Sequence, residues 1–180
     1  MPSCLTLHGR PFRLSLTAQD IARRVTALAS ELHHLNDGNS LPLFIGILNG
    51  AVPFHSDLIR ACSFNLEVAY LRTRSYRGLQ STGQVQIDWP AEFSYANRHV
   101  VVVEDIVDSG LTMSTLTAAL TAGGAASLTT VVLLDKPTAR VVEFSADHVG
   151  FTIPERFVVG YGLDYDGLGR NLPDIYELDE

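Results

Sequence analysis

Ile21, Val25, Leu28, Leu32 and Leu35 recur at alternating four- and three-residue spacings, which lays one apolar stripe along a helix. Thr17 predicts the N-cap of that helix, with Asp20 three residues on as a capping-box-like partner, and Asn36-Asp37-Gly38-Asn39 predicts its end. Beyond it the pattern shortens. Leu43–Leu48 is an apolar run that predicts a strand, residues 52–62 a helix, and residues 66–72 alternate as a half-buried strand does. Residues 73–84 are polar, hold two glycines and predict a loop. The four valines at 100–103 predict a central strand buried on both faces, returning to water at Glu104 and Asp105. A helix over 113–121, stopped by Gly123-Gly124, and a second buried strand over 129–134 follow.

Strands alternating with helices predict an α/β fold with a mostly parallel central sheet flanked by helices. Past Lys136 the apolar pieces shorten to VGFTI and FVVGY. They predict a small hood lobe, built mainly from residues after 136, over the C-terminal edge of the sheet, where α/β proteins bind ligands. One domain is expected to span 1–180.

Composition narrows the partners. The 180 residues are 46% hydrophobic, enough for a sizeable core, and 13 basic against 20 acidic side chains give a net charge of −7. No basic run exceeds two residues, so neither nucleic acid nor an anionic membrane surface is an expected partner. The apolar runs are far too short to cross a membrane, and MPSCLTLHGR lacks a secretory pattern. Cys4 and Cys62 read as free thiols, which places the chain in a reducing cytoplasm. The six histidines are too scattered for a zinc site, and Ser109 lacks a hydrolase-like context.

Residues 100–112, VVVVEDIVDSGLT, carry the chemistry. Strand, acidic pair, small-residue loop and helix start together suit a phosphorylated sugar. Backbone N–H groups over Asp108, Ser109, Gly110, Leu111 and Thr112, with the hydroxyls, can hold a phosphate monoester. Glu104 and Asp105 can hold ribose hydroxyls or a divalent cation. The same small residues also serve as ordinary helix caps, and it is the acidic pair after four valines that favours the ligand.

This segment resembles the phosphoribosyl-diphosphate (PRPP) signature of the type I phosphoribosyltransferases. RSYRGLQSTG at 74–83 is similar to the active-site loop of their hypoxanthine–guanine branch, and FVVGYGLDY at 157–165 to its purine-binding segment. With LNG at 48–50 and LLDK at 133–136, the resemblance runs in order from Leu43 to Arg170.

The resemblance implies transfer of a phosphoribosyl group from PRPP to hypoxanthine or guanine, giving the nucleoside monophosphate (IMP or GMP) and pyrophosphate. Asp108 is then the catalytic base near purine N7, and Glu104 and Asp105 face the ribose. Phe157 stacks on the base, Val158 meets its edge through the backbone, and Lys136 donates to the 6-oxo group. Asp164 lies by the purine and, with Glu104 and Asp105, helps place Mg²⁺. Leu48, Asn49, Gly50 and Arg170 hold pyrophosphate, and Ser75 and Tyr76 sit on a lid. The family's loop at 48–50 often reads Leu-Lys-Gly with a cis first peptide. Asn49 supplies no charge there, so neutralisation leans on metal ions, Arg170 and Arg74. Leu111 stands where some relatives carry lysine. Homodimers or homotetramers are the family's assemblies. A xanthine-preferring or other-base transferase, and a PRPP-sensing regulator without catalysis, are the competing readings.

Overall fold

The computed structural model describes residues 3–36, 40–75, 85–90 and 93–179. Along them run β1 (Cys4–Leu7), β2 (Arg10–Leu16), α1 (Ala18–Glu31), β3 (Leu43–Leu48), α2 (Val52–Ala61), β4 (Glu67–Ser75), β5 (Val85–Asp88), β6 (His99–Val107), α3 (Leu111–Ala122), β7 (Ser127–Asp135), β8 (His148–Thr152), β9 (Val158–Val159) and β10 (Ile175–Leu178). Six strands form the larger sheet in the order β5-β4-β3-β6-β7-β8, parallel throughout except where β5 pairs with β4.

The valines at 100–103 are all fully buried. Strand alternation sends Val101 and Val103 to one side, among Ile21, Val25, Leu28, Phe54 and Leu58. Val100 and Val102 go to the other, among Met113, Leu116 and Leu120. Thus α1 and α2 cover one face of the sheet and α3 the other, as a parallel sheet with apolar faces requires.

In α1 every residue of the stripe is buried. The Thr17 hydroxyl accepts from the Asp20 backbone N–H at 3.1 Å and donates to the Asp20 carboxylate at 2.5 Å. Asp174, from just before β10, accepts from the Ala18 N–H at 2.6 Å. The helix ends at Glu31, and a 3-10 turn over Leu32–Leu35 keeps Leu32 and Leu35 inside.

Four features differ from the sequence reading. First, β6 does not stop at Glu104 but runs on to Val107, because β7 continues beside it and pairs with Ile106 and Val107. The acidic pair therefore lies within a strand, and Asp105 is buried rather than returned to water. Second, VGFTI belongs to the larger sheet as its edge strand β8, parallel to β7. Third, the smaller antiparallel sheet, β1-β2-β10-β9, draws two of its strands from residues 4–16 rather than mainly from residues after 136. Its interior is Phe12, Val159, Tyr176 and Leu178. Fourth, β4 extends to Ser75, into the stretch expected to be loop, and β5 follows at Val85–Asp88.

The connections fix where a ligand can enter. From β3 the chain passes through α2 to β4 on one side, and from β6 through α3 to β7 on the other. The loops leaving the C-terminal ends of β3 and β6 diverge, which opens a crevice at this switch of direction.

Leu28 is fully buried among both helices and the sheet. Leu28→Ala should cost about 2–5 kcal/mol of unfolding free energy, and Thr17→Ala about 1 kcal/mol through the lost cap. Urea titration with tertiary-structure detection measures both, and equal losses would contradict the packing described.

Candidate active site

A cavity of about 290 Å³ lies in that crevice. Asn49 and Gly50 reach it from the end of β3, Asp105, Ile106 and Asp108 from β6 and its loop, and Lys136 from the end of β7. Phe157, Val158, Leu163, Asp164 and Arg170 close it from the chain around and after β9.

Three segments of the chain pack tightly beside it. The Leu48–Asn49 peptide is cis, as the resemblance implied. A Cβ added to Gly50 would lie 1.7 Å from Asp105 Oδ2, so only glycine lets the β3 loop pass that carboxyl. Gly162, at φ +102°, would in turn place a Cβ 1.9 Å from the Gly50 carbonyl oxygen. Nearby, the Tyr161 hydroxyl donates to Asp57 of α2 at 2.7 Å, which ties this segment to the larger layer.

The charged groups come in pairs. Lys136 is buried, and its Nζ lies 3.1 Å from Oδ1 of the exposed Asp108. Arg170 meets Asp164 at 2.6 Å and donates to the Gly162 carbonyl at 2.7 Å, while the Gly167 N–H donates to Asp164 at 2.8 Å. Phe157 is 45% exposed, with its ring edge-on to Tyr165 at 5.4 Å. Its neighbour Val158 is held by pairing with Glu177 of β10.

The acidic pair splits across β6. Asp105 lines the cavity and accepts from the Ile106 N–H at 3.0 Å. Glu104 is not among the lining residues. Its Oε2 is buried without a hydrogen-bond partner. Burial, and then the neighbouring Asp105 charge, push the Glu104 carboxyl well above the usual range. Burial likewise raises Asp105 to about 6, partly offset by the backbone N–H it accepts.

Of the other residues singled out in the sequence, Leu48 ends β3 and is half-buried. Ser109 to Thr112 form the loop and first turn of α3, with Gly110 in the left-handed region as its cap. Neither Leu48 nor this loop is among the cavity-lining residues. Ser75 is the last residue of β4, and Tyr76 lies outside the described residues. Arg74 is engaged by Asp88 at 3.0 Å. Instead it is Arg72, exposed on β4, that reaches the β3 loop, with Nη2 3.4 Å from Asn49 Oδ1. Arg72 went unremarked in the sequence, although it sits two residues before Arg74 and therefore on the same side of the strand.

Both members of the acidic pair hold protons more tightly folded than unfolded. The contribution of Asp105 to stability is therefore complete below about pH 4 and is lost as pH rises through about 6, and that of Glu104 is likewise lost as pH rises above the usual carboxylate range. In metal-free buffer Asp105→Asn should stabilise the chain by up to about 3 kcal/mol at pH 7.5, an advantage that fades toward pH 4. Denaturant titrations across that range check it. A variant less stable than the parent at pH 7.5 would show that the Asp105 charge is compensated in the folded state.

Residues 15–166 match the family model described as a phosphoribosyl transferase domain. The hypoxanthine-guanine phosphoribosyltransferase of Aquifex aeolicus is 37% identical over 175 residues, covering 97% of this chain and 98% of its own. That of Bacillus subtilis is 40% identical over 164 residues, covering 91% of each. Among solved structures, a hypoxanthine phosphoribosyltransferase from Staphylococcus aureus superposes with a TM-score of 0.86 at 39% identity, over 93% of this chain and 91% of that one. With six strands in the order and pairing described and helices on both faces, this chain belongs to the type I phosphoribosyltransferases, in their hypoxanthine–guanine branch.

Proposed function

We propose that the chain transfers the 5-phosphoribosyl group of PRPP to hypoxanthine or guanine, giving IMP or GMP and pyrophosphate in purine salvage. The observation that carries this reading is the pair formed by Lys136 and Asp108 at the cavity. It offers an ammonium donor beside a carboxylate acceptor. A 6-oxopurine carries the matching edge, with the O6 acceptor beside the N7 proton. Adenine would turn its amino group toward Lys136, donor against donor, a mismatch that discriminates strongly. The names of the relatives favour this reading over a regulator that only senses PRPP.

In the reaction the C1′–O bond to pyrophosphate breaks, a purine nitrogen bonds to C1′, and the purine proton passes to the Asp108 carboxylate. Phe157 presents an exposed ring for stacking on the base, and the Val158 backbone meets the base's edge. The loop from Asp108 through Ser109, Gly110, Leu111 and Thr112 takes the 5′-phosphate at the start of α3. Asp105 faces the ribose. The β3 loop at Leu48, Asn49 and Gly50, with Arg170, receives pyrophosphate, and Arg72 brings to that loop the charge that Asn49 lacks.

Among the described residues no group of three or more metal-binding side chains converges. Asp105 and Asp164 nevertheless line one cavity, a donor set that fits Mg²⁺, which takes most of its oxygens from substrate and water. Asp105 and Asp164 would hold it, and when bound it neutralises charge on the departing pyrophosphate. The buried Glu104 carboxyl does not reach that position. Two free cysteines suit a reducing cytoplasm.

Hypoxanthine, PRPP and Mg²⁺ should yield IMP with the purified chain, whereas adenine should be a poor substrate. Asp108→Asn should lower turnover by about 10²–10⁴-fold with PRPP binding near normal. Unchanged turnover, with chemistry shown to be rate-limiting, would remove Asp108 from the reaction. Lys136→Ala should weaken IMP binding measured by calorimetry, and parent-like affinity would refute the 6-oxo contact.

A further inference from the structure

Arg140 is not among the residues lining the cavity, yet its guanidinium gathers the loops that build it. Nη1 donates to the carbonyl oxygens of Val107 at 2.8 Å, Asp108 at 2.5 Å and Lys136 at 3.2 Å. Nε donates to the Phe144 carbonyl at 3.3 Å, and Nη2 pairs with the Asp135 carboxylate. The next two residues continue the pattern, since the N–H groups of Val141 and Val142 donate to the Ser109 carbonyl at 3.0 and 3.3 Å. Three consecutive carbonyls, those of Val107, Asp108 and Ser109, are thus all held by residues 140–142.

This has a direct consequence for the other side of the loop. In a trans peptide the N–H points opposite to the C=O. Fixing those three carbonyls turns the N–H groups of Asp108, Ser109 and Gly110 away from residues 140–142, in a row that leads into the first turn of α3, where the Leu111 N–H already donates to Ser109 Oγ at 3.3 Å. The loop also lies flat on this support. A Cβ added to Gly110, at φ +83°, would come within 3.2 Å of Arg140 Cδ, Val142 Cγ2 and Phe144 Cβ.

We propose that Arg140 is a positioning residue that presets the 5′-phosphate loop, aiming its amides before the ligand arrives, and that through the Lys136 carbonyl it holds the base-selecting lysine in the same grip. An arginine is required because a planar fork can serve several oxygens at once, which a lysine ammonium on a flexible stem does not. Asp135 offsets its charge, and both side chains are largely buried.

The proposal rests on the phosphate-site reading above, so the test separates the two. Ribose 5-phosphate binding is measured by calorimetry for the parent, Arg140→Met and Arg140→Lys, with near-ultraviolet circular dichroism to verify folding. Both variants should bind it at least about tenfold more weakly, the scale of one lost charge-assisted hydrogen bond. KM for PRPP should rise in step, while kcat at saturating PRPP changes far less. Arg140→Lys keeps the charge opposite Asp135, so it decides the matter if Arg140→Met does not fold. A folded variant with parent-like ribose 5-phosphate affinity, or one that loses kcat while KM stands still, overturns the role of Arg140 alone. A parent that does not bind ribose 5-phosphate overturns the phosphate-site reading, and this proposal with it.

Discussion

The parallel pairing of β3 with β6, which sets Leu43–Gly46 against Val100–Val103, is the constraint on which the rest of the molecule depends. Both strands are sealed between helical layers, so neither can slip register without driving apolar side chains into the wrong layer. The register in turn sets the distance between the loops that leave the two strands. Asp105 and Gly50 meet because of it, at a separation that leaves no room for a side chain at position 50. The cavity is thus a by-product of how a buried sheet must connect its strands.

Electrostatics present the opposite problem, since a chain with a net charge of −7 must hold a highly anionic substrate. The cations around the cavity are already partnered, Lys136 by Asp108 and Arg170 by Asp164. Such pairs keep the unliganded site from carrying bare buried charge, and a ligand then exchanges partners instead of neutralising isolated ions. Backbone dipoles contribute a further positive potential that costs no formal charge. Burial raises the proton affinities of Asp105 and Glu104, and the Asp105 charge adds to the rise at Glu104.

Much of this was legible in the sequence because it follows from periodicity. The α1 stripe and the valines at 100–103 could bury themselves in only one way, and the motif order brought Asn49, Asp105, Asp108, Lys136 and Phe157 to one crevice. What escaped notice depends on partners distant in the chain. The β1–β2 hairpin turns at His8-Gly9, both at positive φ, without the Asn-Gly signal that marks such turns. β6 runs past Glu104 because β7 is there to pair with it, which composition alone does not reveal. Arg140 was invisible for the same reason, because its partners are carbonyl oxygens that converge only after folding.

The smaller sheet seats β10 between β2 and β9. A ribosome delivers β2 long before β10, so the β1–β2 hairpin waits through the synthesis of the entire larger sheet for the strand that pairs with β2. Phe12, whose ring lies 6.3 Å from that of Phe157, therefore gains Phe157, Val159 and Tyr176 as neighbours only after the larger sheet has been made. The Arg140 contacts that hold residues 107–109 can form on the nascent chain, whereas the side of the cavity built from Phe157 and Val158 must await β10, the partner of β9.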